Sequence, residues 1–303
     1  MPELPEVETI RRGLQKQIIR KKIKKIIIKK PKLIKNSKKI FCSKLIGNSF
    51  LSIGRVGKVL IFKIREDLYL LIHLKMTGQL IYCDKKMFVV GGHINSKREE
   101  FDFKKNKKAK FCRPGRYTHI IFQFEDASRM YYNDLRQFGY LKIVNKKKLE
   151  EMKKKYGIEP GRSDFNFNNF KKTLSGKKRK IKALLLDQSI ISGLGNIYVD
   201  ESLFSAKIFP ERKANSLTDK EVRNLYNSIK RIIKLALKYK GTTFSDFVGS
   251  NGKKGGFKKK LNVYGREGLK CKRKKCSGII KKIKVVGRGT VFCPVCQKQN
   301  INS

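Results

Sequence analysis

Two groups of residues in this 303-residue chain are of a type and spacing that can do chemistry. The first opens the chain, MPELPEVET. With Met1 removed, the chain would begin at the secondary amine of Pro2, followed at once by Glu3. A free α-amino group titrates near pH ~8, so a useful fraction is neutral and nucleophilic at neutral pH. Such an amine can attack an electrophilic carbon and form a covalent imine, as lysines do in Schiff-base enzymes. From proline the product is an iminium that carries its charge permanently and acts as an electron sink, and Glu3 can deliver or accept protons beside it. The same residues also read as a plain helix start. Pro5 lies in the first turn, Glu6 and Glu8 near the positive end, and Val7, Ile10 and Leu14 along one face. The second group is Cys271, Cys276, Cys293 and Cys296, two close pairs separated by sixteen residues that include the hairpin-like GIIKKIKVVGRGTVF. Four thiolates so spaced match a closed, tetrahedral, structural zinc ribbon. The first pair encloses four residues where two are commoner. Lys284 and Arg288 give the hairpin positive charge that suits a phosphate backbone.

Weaker constellations lie between these ends. Gly193-Leu194-Gly195-Asn196 opens a helix, where free N–H groups favour an anion such as phosphate, although a tight connection explains it as well. HLKMTGQL (73–80) and NDLRQFG (133–139) carry Met76, Arg136 and Phe138, side chains that can wedge into a base stack from which a nucleotide has been drawn. Taken singly, each has a bland reading as core or solvated residue, and His73, among apolar neighbours, reads as a structural histidine. Cys83, His93 and Cys112 lack the paired spacing of a second metal site.

These groups need elements to hold them. KKIKKIIIKK reads as a basic-flanked strand. VLIFKI (59–64), YLLIHLKMTGQLIY (69–82), THIIFQF (118–124), RMYYNDL (129–135) and YLKIV (140–144) form an antiparallel sandwich or barrel pattern. The Lys-rich stretch 84–115 between them reads as a protruding insertion. Helical patterns follow at 147–156, 167–174, 178–187 and after Gly195. Thr218 with Glu221 makes a capping box that opens a long helix to about Lys240. A Gly/Lys loop at 249–260 precedes the cysteine module. The net charge of +50, from 74 Lys plus Arg against 24 Asp plus Glu, implies a polyanionic partner. An AT-rich genome would inflate its size. Ten per cent aromatic and 40% hydrophobic residues argue for a folded protein. No run of about 18 apolar residues suggests a membrane span, and the acidic, proline-bearing start is not a secretory signal. Seven cysteines, four of them gathered in one module, indicate a reducing compartment, with the cytoplasm as the expected location.

Taken in order, MPELPEVET, GK at 57–58, HLKMTGQL, LRQFG, GLGNIYVDESLF, NVYGR (262–266) and GRGTVFCPVCQ closely resemble the bacterial formamidopyrimidine-DNA glycosylases of base-excision repair, over nearly the whole chain. The resemblance implies an α+β fold. It has an N-terminal antiparallel β-sandwich with flanking helices (1–145), a helix–two-turns–helix domain (146–260) and a zinc-finger β-hairpin module (261–303). It also implies an enzyme with DNA glycosylase and abasic-site lyase activities that removes oxidised purines. In it Pro2 attacks C1′, Glu3 assists ring opening and proton transfer, Lys58 acts in β-elimination and Arg288 in δ-elimination. Met76, Arg136 and Phe138 match the residues that fill the vacated stack, with Arg136 facing the orphaned cytosine. Lys177 and Asn196 match phosphate contacts, Tyr264 and His73 are counted with the DNA-binding residues, and 249–262 matches a cap over the flipped base. One structural zinc ion on the four cysteines is implied, with damaged double-stranded DNA as partner, no membrane, and a monomer. The chain departs from the family pattern in the 84–115 stretch, in Tyr117 where a histidine is usual, in the wider first cysteine pair and in Gly256. Two other readings are a glycosylase of the endonuclease VIII branch acting on oxidised pyrimidines, and a non-catalytic zinc-containing nucleic-acid-binding protein.

Overall fold

The computed structural model describes residues 2–84, 88–92 (backbone only), 113–242 and 256–299. The chain divides into two compact units, Met1–Lys154 with Tyr239–Lys258, and Lys155–Lys238 with Lys259–Ser303.

The first unit opens with helix α1 (Leu4–Ile18), followed by strand β1 (Ile23–Ile28) and helix α2 (Lys38–Leu45). Eight further strands follow: β2 (Ser52–Val56), β3 (Val59–Arg65), β4 (Leu68–His73), β5 (Gly78–Cys83), β6 (Phe88–Gly92), β7 (Thr118–Phe124), β8 (Arg129–Asp134) and β9 (Tyr140–Val144). Helix α3 (Lys146–Lys153) comes next. The strands build two antiparallel sheets, one ordered β1-β7-β8-β5-β6 and the other β2-β3-β4-β9. The period-2 alternation of the sequence explains their packing. Leu60, Phe62, Leu70 and Ile72 of one sheet share a buried cluster with Leu80, Tyr82, Ile120, Phe122 and Tyr132 of the other. Phe50 completes it, 5.1 Å from the Phe62 ring.

The run 69–82 is two strands, not one. His73 ends β4 in the four-stranded sheet, and Gly78 begins β5 in the five-stranded one. The chain turns at Lys75, whose φ is +50°, and a Cβ at Gly78 would lie 2.4 Å from the carbonyl oxygen of Leu74. Only glycine permits that close return. The expected insertion at 84–115 is also partly regular, because β6 adds an edge strand to β5. Residues 85–87 and 93–112 of it lie outside the described residues.

The second unit contains α4 (Phe167–Leu174), α5 (Ile181–Leu186), α6 (Asn196–Ala206), α7 (Asp219–Lys238) and the hairpin β10 (Lys281–Val285)–β11 (Arg288–Phe292). The capping box before α7 is formed. Thr218 N donates to Glu221 Oε2 at 2.9 Å, and Glu221 N donates to Thr218 Oγ1 at 3.3 Å. Among the described residues, no helix is long and apolar enough to cross a membrane.

Helix α1 is fixed to the four-stranded sheet by Gln15, whose Oε1 accepts from Ile53 N at 2.7 Å, and by the carboxylate of Glu8. Glu8 accepts from Arg11 at 2.9 Å, from Arg12 at 2.7 Å and from Arg55 of β2 at 3.3 Å. Burial alone would raise the Glu8 pKa, but these guanidinium hydrogen bonds and charges outweigh it and hold the group at about 2. A folded pKa below the unfolded value gives stability that is present above the unfolded pKa and is lost as pH falls through 2. Glu8→Gln is expected to cost about 1–2 kcal/mol at pH 7, discounted for the water that reaches Arg12. Denaturant unfolding should show that gap closing below pH ~4, and a pH-independent gap would contradict the ion-pair account.

Candidate active site and nucleic-acid interface

Pro2 and Glu3 are both buried at the start of α1, Glu3 with 2% of its surface exposed. Glu3 N donates to Glu6 Oε2 at 3.0 Å. The other oxygen of Glu6 accepts from Thr242 N at 2.7 Å and from Thr242 Oγ1 at 3.1 Å. One buried carboxylate therefore ties the first residues of the chain to Thr242. The expected cap over 249–262 lies outside the described residues up to 255. In its described part Gly256 N donates to Tyr239 O at 3.0 Å.

Lys58 is buried in the two-residue turn between β2 and β3. That turn is held from below, because Arg55, already paired with Glu8, donates to Gly57 O at 2.7 Å. His73 lies opposite Val59 on β4, accepts from Lys75 N through Nδ1 at 2.9 Å and packs 5.7 Å from Tyr140. Burial, with the charges of Lys75 and Lys58, depresses it to about 3, so its ring is neutral at physiological pH. Those contacts fix the ring at the end of β4.

Met76 and Arg136-Phe138 are far apart in sequence and come together in space. The Arg136 guanidinium lies 3.0 Å from Met76 Sδ and 4.6 Å from the Phe138 ring centroid. Met76 and Phe138 are 36% and 54% exposed, so the three side chains present one apolar and cationic cluster at the surface. Where the family pattern has a Lys-His pair, Arg116 stacks against Tyr117, and His119 is buried with Nε2 2.8 Å from Asp134 O. The side chain at 119 is thus committed to the fold.

In the second unit Lys177 and Arg288 are exposed. Arg288 follows a tight turn in which Val286 takes a φ of +42°, rare for a β-branched residue. The three residues after it are anchored. Gly289 O accepts from Asn196 Nδ2 at 2.8 Å, Thr290 Oγ1 lies 2.7 Å from Lys182 Nζ, and Val291 N donates to Asp200 Oδ2 at 3.1 Å. Lys182 and Asp200, both fully buried, pair at 2.6 Å. Next on α6, Glu201 accepts backbone N–H bonds from Asn262, Val263 and Tyr264, each at 2.9 Å. Asn196 and Tyr264 are therefore joined to the same helix. From the sequence no role is assigned to Lys182, Asp200 or Glu201, although Asp200 and Glu201 lie within GLGNIYVDESLF, where carboxylates inside the apolar run are a visible signal of polar partners to satisfy.

The four cysteine sulfurs lie within 4.8 Å of one another, with Cys271–Cys296 at 3.9 Å and Cys276–Cys293 at 3.7 Å. A tetrahedral zinc with Zn–S bonds of about 2.3 Å needs sulfurs roughly 3.8 Å apart, so the set fits that ion. Burial pushes the Cys296 thiol up to about 12, while the Gly278 N–H draws Cys276 down to about 7. A central cation is what would let thiols so packed ionise together. The wider first pair has a structural use. It admits Arg273, whose Nη2 donates to Phe204 O at 2.8 Å and Ser205 O at 3.1 Å, capping the end of α6. Cys83 is disulfide-bonded, at odds with the expectation that the seven cysteines are held reduced.

Three family models match in order: the formamidopyrimidine-DNA glycosylase N-terminal domain over 1–141, the H2TH domain of the same enzymes over 156–248, and the zinc finger found in FPG and IleRS over 268–299. The chain is 40% identical over 301 residues to the formamidopyrimidine-DNA glycosylase of Heliobacterium modesticaldum, covering 98% of this chain and all of the relative. It belongs to the formamidopyrimidine-DNA glycosylase family. The family's members are base-excision repair enzymes that carry a DNA-binding zinc finger. Two similar solved structures are Lactococcus lactis Fpg bound to abasic-site DNA and a point mutant of it bound to DNA containing Fapy-dG. Each has a TM-score of 0.83 at 35% identity and covers 98% of this chain and all of the other.

Two outcomes test the second unit. Lys182→Met strands a buried carboxylate and is expected to lower stability by about 3–5 kcal/mol, measured by urea unfolding. Arg273→Ala removes a charged cap from two helix-end carbonyls and is expected to cost about 1–3 kcal/mol in the same assay. Native-like stability in either variant would contradict the contact in question.

Proposed function

We propose that this protein removes oxidised purines, 8-oxoguanine and formamidopyrimidines, from duplex DNA and then cleaves the strand at the abasic site. Pro2, freed by loss of Met1, attacks C1′. The bond from C1′ to the base breaks, the base leaves with a proton, and Pro2 N is left bonded to C1′. Glu3 donates a proton to the ring oxygen O4′ as the C1′–O4′ bond breaks, and the opened sugar is then held to the chain as an iminium. Lys58 assists β-elimination, which breaks the C3′–O bond, and Arg288 assists δ-elimination, which breaks the C5′–O bond. Met76, Arg136 and Phe138 fill the vacated stack, with Arg136 toward the orphaned cytosine. Lys177, Asn196 and Tyr264 hold the DNA backbone, and His73 is counted with the DNA-binding residues. One zinc ion held by Cys271, Cys276, Cys293 and Cys296 cross-links the finger from which Arg288 projects. The modules 1–145, 146–260 and 261–303 carry the catalytic, helix–two-turns–helix and finger functions. The protein works as a monomer in the cytoplasm, on damaged DNA.

The observation that carries the reading is a buried Glu3 directly after Pro2, braced by Glu6, in a chain matched over its full length by glycosylases. Incubation with an 8-oxoguanine duplex and borohydride should trap an adduct whose peptide maps to Pro2. Absence of an adduct, or intact mass showing Met1 retained on active protein, would overturn the mechanism. Faster excision of thymine glycol than of 8-oxoguanine would overturn the purine assignment alone.

A further inference from the structure

The exposed side chains of Met76, Arg136 and Phe138 stand on two separate loops, 74–77 between β4 and β5 and 135–139 between β8 and β9. Each loop contains a non-glycine residue in the left-handed region, Lys75 at φ +50° and Gln137 at φ +55°. Backbone of that kind persists only where its surroundings determine it. Joining the two loops is Asp134, the last residue of β8, whose surface is 0% exposed. Its Oδ1 accepts from the hydroxyl of Thr77, beside Met76, at 2.5 Å. Its Oδ2 accepts from Gly139 N at 2.8 Å, directly after Phe138, and from Tyr132 OH at 3.4 Å. Thr77 Oγ1 in turn accepts from Arg136 N at 2.9 Å. A Cβ at Gly139 would fall 2.0 Å from the Tyr132 hydroxyl, so the loop must return to the strand at that residue.

The direction of this chain of bonds follows from chemistry. A carboxylate only accepts, so the Thr77 proton must point at Asp134, and the hydroxyl's lone pairs are left for the Arg136 N–H. An amide at 134 has one accepting atom and one donating atom. It can satisfy Gly139 or orient Thr77, but not both. We infer that Asp134, acting through the Thr77 hydroxyl, is the positioning residue that sets the two loops against each other and so governs how the chain fills a vacated base stack. The inference rests on the stack-filling reading of Met76, Arg136 and Phe138 given above. Asp134 touches no DNA in it and is not a catalytic residue.

The test separates filling of the stack from the chemistry that follows. Stopped-flow fluorescence of a 2-aminopurine placed beside an abasic-site analogue in a duplex reads the filling step. Cleavage at an abasic site in single-stranded DNA, where there is no stack to fill, reads the rest. Asp134→Asn and Thr77→Val should slow the duplex step ~10- to 100-fold while single-strand cleavage stays within about twofold of native, and Thr77→Ser should match native. Equal slowing on both substrates, or a native-like Thr77→Val, would overturn the inference. If Asp134→Asn fails to fold, the Thr77→Val and Thr77→Ser pair decides alone. Met76→Ala and Arg136→Ala are the reference. If they too leave the duplex step at its native rate, the stack-filling reading falls and takes the inference with it. If they slow it and Thr77→Val does not, only the role of Asp134 falls.

Discussion

A carboxylate taken out of water costs several kcal/mol unless donors occupy its lone pairs. That constraint shapes every functional region of this protein. Glu6, Asp134, Asp200 and Glu201 are each at most 3% exposed, and each draws at least one backbone N–H or hydroxyl from a segment far away in sequence. Where the donors are main-chain atoms, as for Glu6, Asp200 and Glu201, the carboxylates fix loop backbones directly. Side chains such as Glu3, Met76, Arg288 and Tyr264 are carried on backbone that a neighbouring acid has already placed.

The distribution of charge follows from the same economy. No acidic residue occurs between Thr9 and Arg65, although lysine and arginine abound there. Glu8, just before that stretch, serves three arginines at once. Acids are scarce and many of them are committed inside, so Lys24, Lys25, Lys29 and Lys32 face solvent without ion-pair partners among the described residues. Attraction to a polyanion, strongly dependent on salt, is a direct result of where the few acids were placed.

Much of this was legible in the sequence. Alternating apolar residues announced the strands, Thr218 with Glu221 announced α7, and the paired cysteines announced the finger, because each is a local pattern with a local cause. The break at 74–77 was not legible, since Leu74 continues the apolar alternation and only the approach of Gly78 to the Leu74 carbonyl forces the chain between sheets. The anchoring roles of Asp134 and Lys182 were hidden for another reason. Their partners lie on other strands and helices, and single-residue patterns do not report on long-range pairing. The wider spacing of Cys271 and Cys276 was visible, but its use was not, because it depends on where the end of α6 falls.

Met76 sits where the chain leaves one sheet for the other. Pushing a side chain between stacked bases brings an equal push back on the protein. A hairpin tip would bend under such a load, since its two strands belong to one flexible edge. Here the segment is clamped at both ends, at His73 in the four-stranded sheet and at Gly78 in the five-stranded one, and the two sheets share a single packed interior. In the stack-filling role proposed for Met76, the recoil is divided between two plates that brace each other, so the side chain is held stiffly without a long or bulky loop.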